Sequence, residues 1–183
     1  YEVWYPSQNC TWLSDSDLTE QCVGVTPFIK NKISEGFFSQ IIIANKWVSL
    51  IKQSGGERRV KNLFNDLSKL SRQKIWLVKQ VPVQEHNIPK HPAIESLLHN
   101  DIKSHGINRI KHESMTKRLE SMFLSSDLRQ INFLDPATYL CDDNLCYSFK
   151  DKKVLHSDDN HLSKTGVTLL EPMLKGVFND SYK

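Results

Sequence analysis

The sequence predicts a three-layer α/β/α fold built on a mostly parallel sheet. Three observations carry that expectation. Short apolar runs at Ile41–Ala44, Lys74–Val81 and Leu128–Leu134 suit strands buried on both faces. Amphipathic stretches, with apolar positions stepping by three and four, lie between these runs. The alternation of the two makes strand–helix–strand units, whose crossovers are right-handed. With 183 residues, 39% of them apolar and 25% charged, the chain is long enough to bury one core, so 1–183 is expected to be a single domain.

Taken in order, Tyr1–Tyr5 alternates aromatic and apolar side chains and reads as a strand that Pro6 ends. Residues 11–27 are polar, and Ser14-Asp15-Ser16-Asp17 within them reads as a loop or helix cap. Phe28–Phe38 places Phe28, Ile29, Ile33, Phe37 and Phe38 near the helical period. Ile41–Ala44 is the next strand, followed directly by Asn45-Lys46-Trp47 at its C-terminal end, where open α/β sheets bind ligands. Ser54-Gly55-Gly56 is a loop. Glu57–Ser71 is an amphipathic helix on Val60, Leu63, Phe64, Leu67 and Leu70. Lys74–Val81 is a strand that Pro82 stops. Residues 83–92 are a loop holding His86 and His91. Pro92 opens a helix on Ile94, Leu97, Leu98 and Ile102, which His105-Gly106 ends. A second helix runs from Asn108 to Leu124 on Ile110, Met115, Leu119, Met122 and Phe123, with His99, His105 and His112 as surface or cap residues. Ile131–Leu134 closes the last strand, and Asp135-Pro136 turns the chain out. Tyr147 and Phe149 form a short extended piece. Ser163 is an N-cap for a terminal helix that Pro172 kinks or resets.

The net charge of +3 is small and its Lys and Arg are scattered, which argues against a nucleic-acid partner. No run reaches the roughly 18 apolar residues of a membrane span, and no signal peptide opens the chain. Four cysteines permit three pairings. The local pairs Cys10–Cys22 and Cys141–Cys146 are favoured because each brackets a short polar loop, with free thiols as the alternative. Neither pair has the spacing of a zinc knuckle, and neither His86 nor His91 has a third ligand at recognisable spacing, so no metal and no cofactor is expected. Disulfides would place the domain in an oxidising compartment.

The chemistry concentrates in His156-Ser157-Asp158-Asp159-Asn160-His161-Leu162-Ser163-Lys164-Thr165-Gly166. A nucleophilic hydroxyl needs a base, and the base needs a partner that sets its tautomer. Asp158 and His161 supply both from one turn: the carboxylate takes Nδ1–H and leaves Nε2 for a serine. His156 is a rival base without an acid three residues before it, and Asp159 a rival partner two residues before His161. The plain alternative is a capping pair on the surface.

Asp158, His161, Leu162, Ser163 and Gly166 resemble the last block of SGNH (GDSL-type) hydrolases, and more closely the SGNH domains of the acyltransferase-3 family that O-acetylates cell-surface polysaccharides. Leu140-Cys141 through Cys146, and Ile41–Ala44 with Asn45, Lys46 and Trp47, resemble that subgroup too. The resemblance implies a three-layer α/β/α flavodoxin-like (SGNH hydrolase) fold. It implies O-acetyl transfer to a glycan acceptor, with Asp158 and His161 catalytic and a membrane acyltransferase-3 domain, in the same or a partner chain, as acyl source. It also implies the periplasmic or extracellular face, with a tether to the inner membrane through that fused domain. Two departures matter. The family's Gly-Asp-Ser turn is absent from these 183 residues, so the nucleophile and the central first strand are expected upstream, with the domain incomplete at its N-terminus. The family's Gly-x-Asn block is also altered: where Asn45 takes the Gly position, Trp47 replaces the Asn. Asn45 and Trp47 are therefore candidates for the oxyanion site or its wall, with core packing the alternative for Trp47. A secreted carbohydrate acetylesterase, or a non-catalytic glycan-binding module of the same fold, are the competing functions.

Overall fold

A computed structural model describes residues 25–69, 73–84, 104–125 and 131–179. The expected strand Tyr1–Tyr5, the Ser14–Asp17 run, Cys10, Cys22, His86, His91, His99 and the helix after Pro92 lie outside these residues. The elements, in order, are α1 (Val25–Ser34), β1 (Gln40–Ala44), α2 (Trp47–Lys52), α3 (Gly56–Ser68), β2 (Lys74–Val78), β3 (Ser104–Asn108), α4 (Arg109–Ser125), β4 (Ile131–Leu134), α5 (Ala137–Leu140), β5 (Leu145–Lys150), β6 (Lys153–Val154), α6 (Lys164–Leu169) and α7 (Glu171–Asn179). The three expected strands form one parallel sheet in the order β1-β2-β4, and the fold is α/β as the sequence predicts. A second sheet, in the order β3-β5-β6, is antiparallel.

The described residues fall into two units. One comprises 25–43, 49–69, 73–77, 119–125 and 131–132; the other comprises 44–48, 78–84, 104–118 and 133–179. In the first, α3 turns Val60, Leu63, Phe64 and Leu67 inward, the face its three-and-four spacing predicts. The Phe64 and Phe123 rings meet at 5.3 Å between centroids. The expected helix to Phe38 stops at Ser34. Gly36, at φ 74°, reverses the backbone, and the amides of Gly36 and Phe37 reach back to the carbonyls of Ile33 and Lys32. Strand β1 is not buried on both faces: it edges the described sheet, and Ile42 is 41% exposed. Central β2 is the buried strand, and it ends at Val78 rather than Val81. Gly56 is no loop residue but opens α3, where a Cβ would stand 1.9 Å from the Leu50 carbonyl oxygen.

Two corrections fall in and before α4. Rather than ending a helix, His105 and Gly106 lie in β3, paired with β5. Gly106 passes so close to the neighbouring strand that a Cβ would sit 1.9 Å from the Cys146 carbonyl oxygen. His112 is not a surface residue: the buried stripe of α4 runs His112, Thr116, Leu119, Phe123, while Ile110 is 74% exposed. A histidine and a threonine occupy core positions, so a count of apolar residues misplaces the face. Burial lowers the His112 pKa, and the Arg109 charge adds to that. The helix itself begins as expected, with Asn108 Oδ1 accepting from the amides of Ile110 and Lys111.

The second unit carries the C-terminal elements. Asp135 Oδ1 accepts from the Ala137 amide and starts α5. Cys141 and Cys146 form the expected disulfide. Pro172 resets the terminal helix, dividing it into α6 and α7 at Leu170. No helix among the described residues is long and apolar enough to cross a membrane.

Candidate active site

The segment between β6 and α6 is closed at both ends before its functional side chains are set. His156 and Leu162 pair as an isolated antiparallel bridge, and the Ser157 amide donates to the His161 carbonyl at 2.7 Å. Ser163 then ties the loop to the strand it left. Its amide donates to Leu155 O at 2.9 Å, its hydroxyl to Val154 O at 2.6 Å, and the hydroxyl oxygen accepts from Gly166 N at 3.1 Å as the N-cap of α6. Gly166 allows the approach, since a Cβ there would lie 2.0 Å from Leu155 O.

Inside this frame one carboxylate does two jobs. Asp158 Oδ1 accepts from the amides of Asn160 (2.8 Å) and His161 (2.7 Å), an Asx turn. Asp158 Oδ2 meets Nδ1 of the His161 ring at 2.6 Å. The three-residue spacing is thereby explained: the turn that holds residues two and three ahead also brings the third side chain onto the free oxygen. Burial alone would raise the Asp158 pKa; the two amide hydrogen bonds and the imidazole outweigh it and hold the carboxyl at about 2. The ring is 74% exposed and the acid 37%. Nε2 meets no hydrogen-bond partner among the described residues.

The rival groups are otherwise engaged. His156 is buried, and its Nε2–H donates to Pro82 O at 3.1 Å. Burial lowers its pKa, against the opposing pull of its hydrogen bond to Pro82 O. Asp159 turns away from His161, accepting from Asn160 Nδ2 at 2.5 Å and pairing with Lys46 Nζ at 3.4 Å.

That Lys46 contact brings the segment after β1 to the loop. The segment after β2 reaches it too, since the Gln84 amide donates to Asp159 O at 2.6 Å. Gln80 joins the two segments: its Oε1 accepts from the Val48 amide at 2.9 Å. Trp47 is fully buried, and its indole N–H donates to Val78 O at 2.8 Å, so that group is committed to packing. Asn45 is half-buried beside Lys46. Nothing in the spacing of Lys46, Gln80 and Gln84 marks them as neighbours of this loop, because a lysine and two glutamines carry no spacing signal. The Gln84 side chain is buried, and neither of its amide atoms meets a hydrogen-bond partner among the described residues.

The folded-state pKa of Asp158, about 2, lies below the ordinary 3.8, so its stabilisation is complete above about pH 4 and is lost as pH falls through about 2. Amide resonances of Asn160 and His161, followed by NMR, are expected to shift together in that window. Invariance between pH 4 and 2 would show that the carboxylate does not hold the turn.

The model of the SGNH domain (fused to AT3 domains) matches residues 9–176. The fold is similar to that of the periplasmic domain of a lipopolysaccharide acetyltransferase from Salmonella ser. Paratyphi A. The TM-score is 0.61 at 15% identity, over 96% of this chain and 70% of that one. No curated protein matches the chain at a significant level.

Proposed function

Because the chain belongs to the SGNH domains fused to AT3 domains, we propose that it serves O-acyl transfer to a hydroxyl of a cell-surface glycan, with His161 as base and Asp158 as its partner. The observation that carries this reading is the divided Asp158 carboxylate. One oxygen fixes the His161 backbone and the other its ring, so the Nε2 lone pair is aimed by a single residue.

The nucleophile in this reading is a serine upstream of Tyr1. Its hydroxyl proton passes to His161 Nε2 as its oxygen attacks the acyl carbonyl, and the imidazolium returns that proton to the departing group. The acyl-serine ester is then attacked by a sugar hydroxyl, whose proton again passes to Nε2 before going to the released serine. Asp158 stabilises the imidazolium in both halves. Of the two oxyanion candidates, Asn45 is the one this reading keeps, since the Trp47 indole N–H already donates to Val78 O.

The acyl group is acetyl and the acceptor lipopolysaccharide, peptidoglycan or capsule. A membrane acyltransferase-3 domain, in the same or a partner chain, delivers the acyl group and tethers this domain at the periplasmic or extracellular face. The fusion named in the family's description and the periplasmic acetyltransferase neighbour support these assignments. The exposure of the His161 ring favours a second reading, acetyl release to water by an esterase.

In the full-length protein, Asp158→Asn is expected to lower O-acetylation of the glycan by about 100-fold or more, because the amide can favour the wrong tautomer. Quantifying O-acetyl groups on purified polysaccharide by NMR checks this. A variant that acetylates at the wild-type level would overturn the assignment, and acetate released equally with and without glycan would decide for the esterase.

A further inference from the structure

Apart from the Asp158–His161 pair, the second unit holds an open cleft of about 630 Å³ between α5, the β5–β6 hairpin and α6. Lys150, Lys153 and Lys164 line it, against the single carboxylate of Asp151. Lys153 and Lys164 are exposed and enter no salt bridge among the described residues. Lys150 holds its ammonium 4.2 Å from the centroid of the Tyr147 ring. The nearby Asp142 carboxylate, kept ionised by the Tyr147 hydroxyl and the amides of Asn144 and Leu145, offsets part of the Lys150 charge, so Lys153 and Lys164 carry the cleft's positive excess. Tyr139, 40% exposed, supplies the open aromatic face of the cleft, and Thr165 a hydroxyl.

The walls are stiff. The Cys141–Cys146 disulfide sits in one of them. The hairpin turn between Lys150 and Lys153 holds Asp151 at φ 49° and Lys152 at φ 62°. Two left-handed residues make the primed turn that suits a two-residue hairpin, yet neither is Gly or Asn.

We propose that this cleft binds an anionic sugar of the acceptor glycan, with the sugar's carboxylate or phosphate on the lysines and its ring against Tyr139. The inference rests on the glycan-acyltransferase reading above and adds to it a charge preference and a place. Aromatic faces take the C–H face of a sugar ring, and unpaired ammonium groups take its charge. A concave site with rings in its walls fits a saccharide; a lipid surface asks for a flat or convex basic patch. The cleft adjoins the proposed centre through the chain itself: Leu155 and Lys164, both lining it, flank the His156–Ser163 loop.

Titrating the purified protein with tetragalacturonate, and separately with maltotetraose, tests the proposal by NMR and calorimetry. Tetragalacturonate is expected to shift the amides of Lys150, Lys153 and Thr165 and to bind about five-fold or more tighter than maltotetraose, with an affinity that weakens as salt rises. Lys153→Glu/Lys164→Glu lowers that affinity about ten-fold, as loss and reversal of two exposed charges should. Single Lys→Gln changes at the same positions lower it by about two- to three-fold, and His161→Ala leaves it unchanged. Equal binding of the neutral sugar, or wild-type affinity in the double variant, overturns the cleft even where glycan acetylation is intact. Amide shifts caused only by phosphatidylglycerol vesicles overturn it in favour of a membrane surface. Binding that persists in a protein found to transfer no acetyl group supports the cleft and removes the acyltransfer reading alone.

Discussion

His161→Ala, made in the full-length protein, is expected to reduce glycan O-acetylation by about 1,000-fold or more, the scale on which removal of a general base from a triad acts. The expectation rests on the proton's route. Nε2 is the one ring nitrogen left open, because Nδ1 is held by Asp158 Oδ2 at 2.6 Å. The ring is 74% exposed, so its removal opens no cavity and unfolding is not expected. The matching control is His156→Gln. That ring is buried and donates to Pro82 O, so its loss is expected to lower stability by about 1–3 kcal/mol, with turnover per folded molecule preserved. Acetylation assays and urea unfolding on both variants separate the two effects. Equal loss of turnover from both would mean that the base has been misassigned.

The second large effect is expected at Gly166. An alanine Cβ would lie 2.0 Å from Leu155 O, 3.0 Å from Leu155 C and 3.2 Å from Leu162 Cδ2. Two of these atoms are backbone, in a segment pinned by Ser163, and rotamer changes cannot clear them. The helix α6 must move off Leu155, which breaks the Ser163 amide and hydroxyl bonds to Leu155 O and Val154 O. A cost of about 3 kcal/mol is expected, at the upper end for overpacking, equivalent to a fall in Tm of about 6–12 °C for a domain of this size. The loop that aims His161 loosens with it, so turnover falls as well. Gly176→Ala provides the comparison. It sits in α7 with nothing within 4 Å of the added atom among the described residues, and it is expected to raise stability by up to about 1 kcal/mol through helix propensity. A Gly166→Ala protein that melts within a degree of wild type would show that the loop and α6 do not need this contact.

The Asp-x-x-His-Leu-Ser-x-x-Gly string was legible because each of its residues acts within a few positions of the next. Asp158 caps amides two and three residues ahead, its other oxygen meets the His161 ring, and Ser163 caps Gly166. Local geometry of that kind repeats wherever the string does. The strands β1, β2 and β4 were legible as well, since an apolar run between polar turns has few other uses. The inward face of α4 was not, because His112 and Thr116 fill core positions that a hydrophobic count assigns elsewhere.

By itself the sequence determined the parallel strands, the helix starts at Asn108 and Ser163, the local cysteine pair and the acid–histidine spacing, all of them properties of short segments. Only the tertiary structure decided that His105 and Gly106 belong to a strand, that Trp47 is buried with its N–H on Val78, and that Lys46 and Gln84 meet the loop through Asp159. Those contacts join residues tens of positions apart, and they arise from which backbones pass close enough for a carbonyl, an amide or an ammonium group to meet. Spacing along the chain carries no record of that distance.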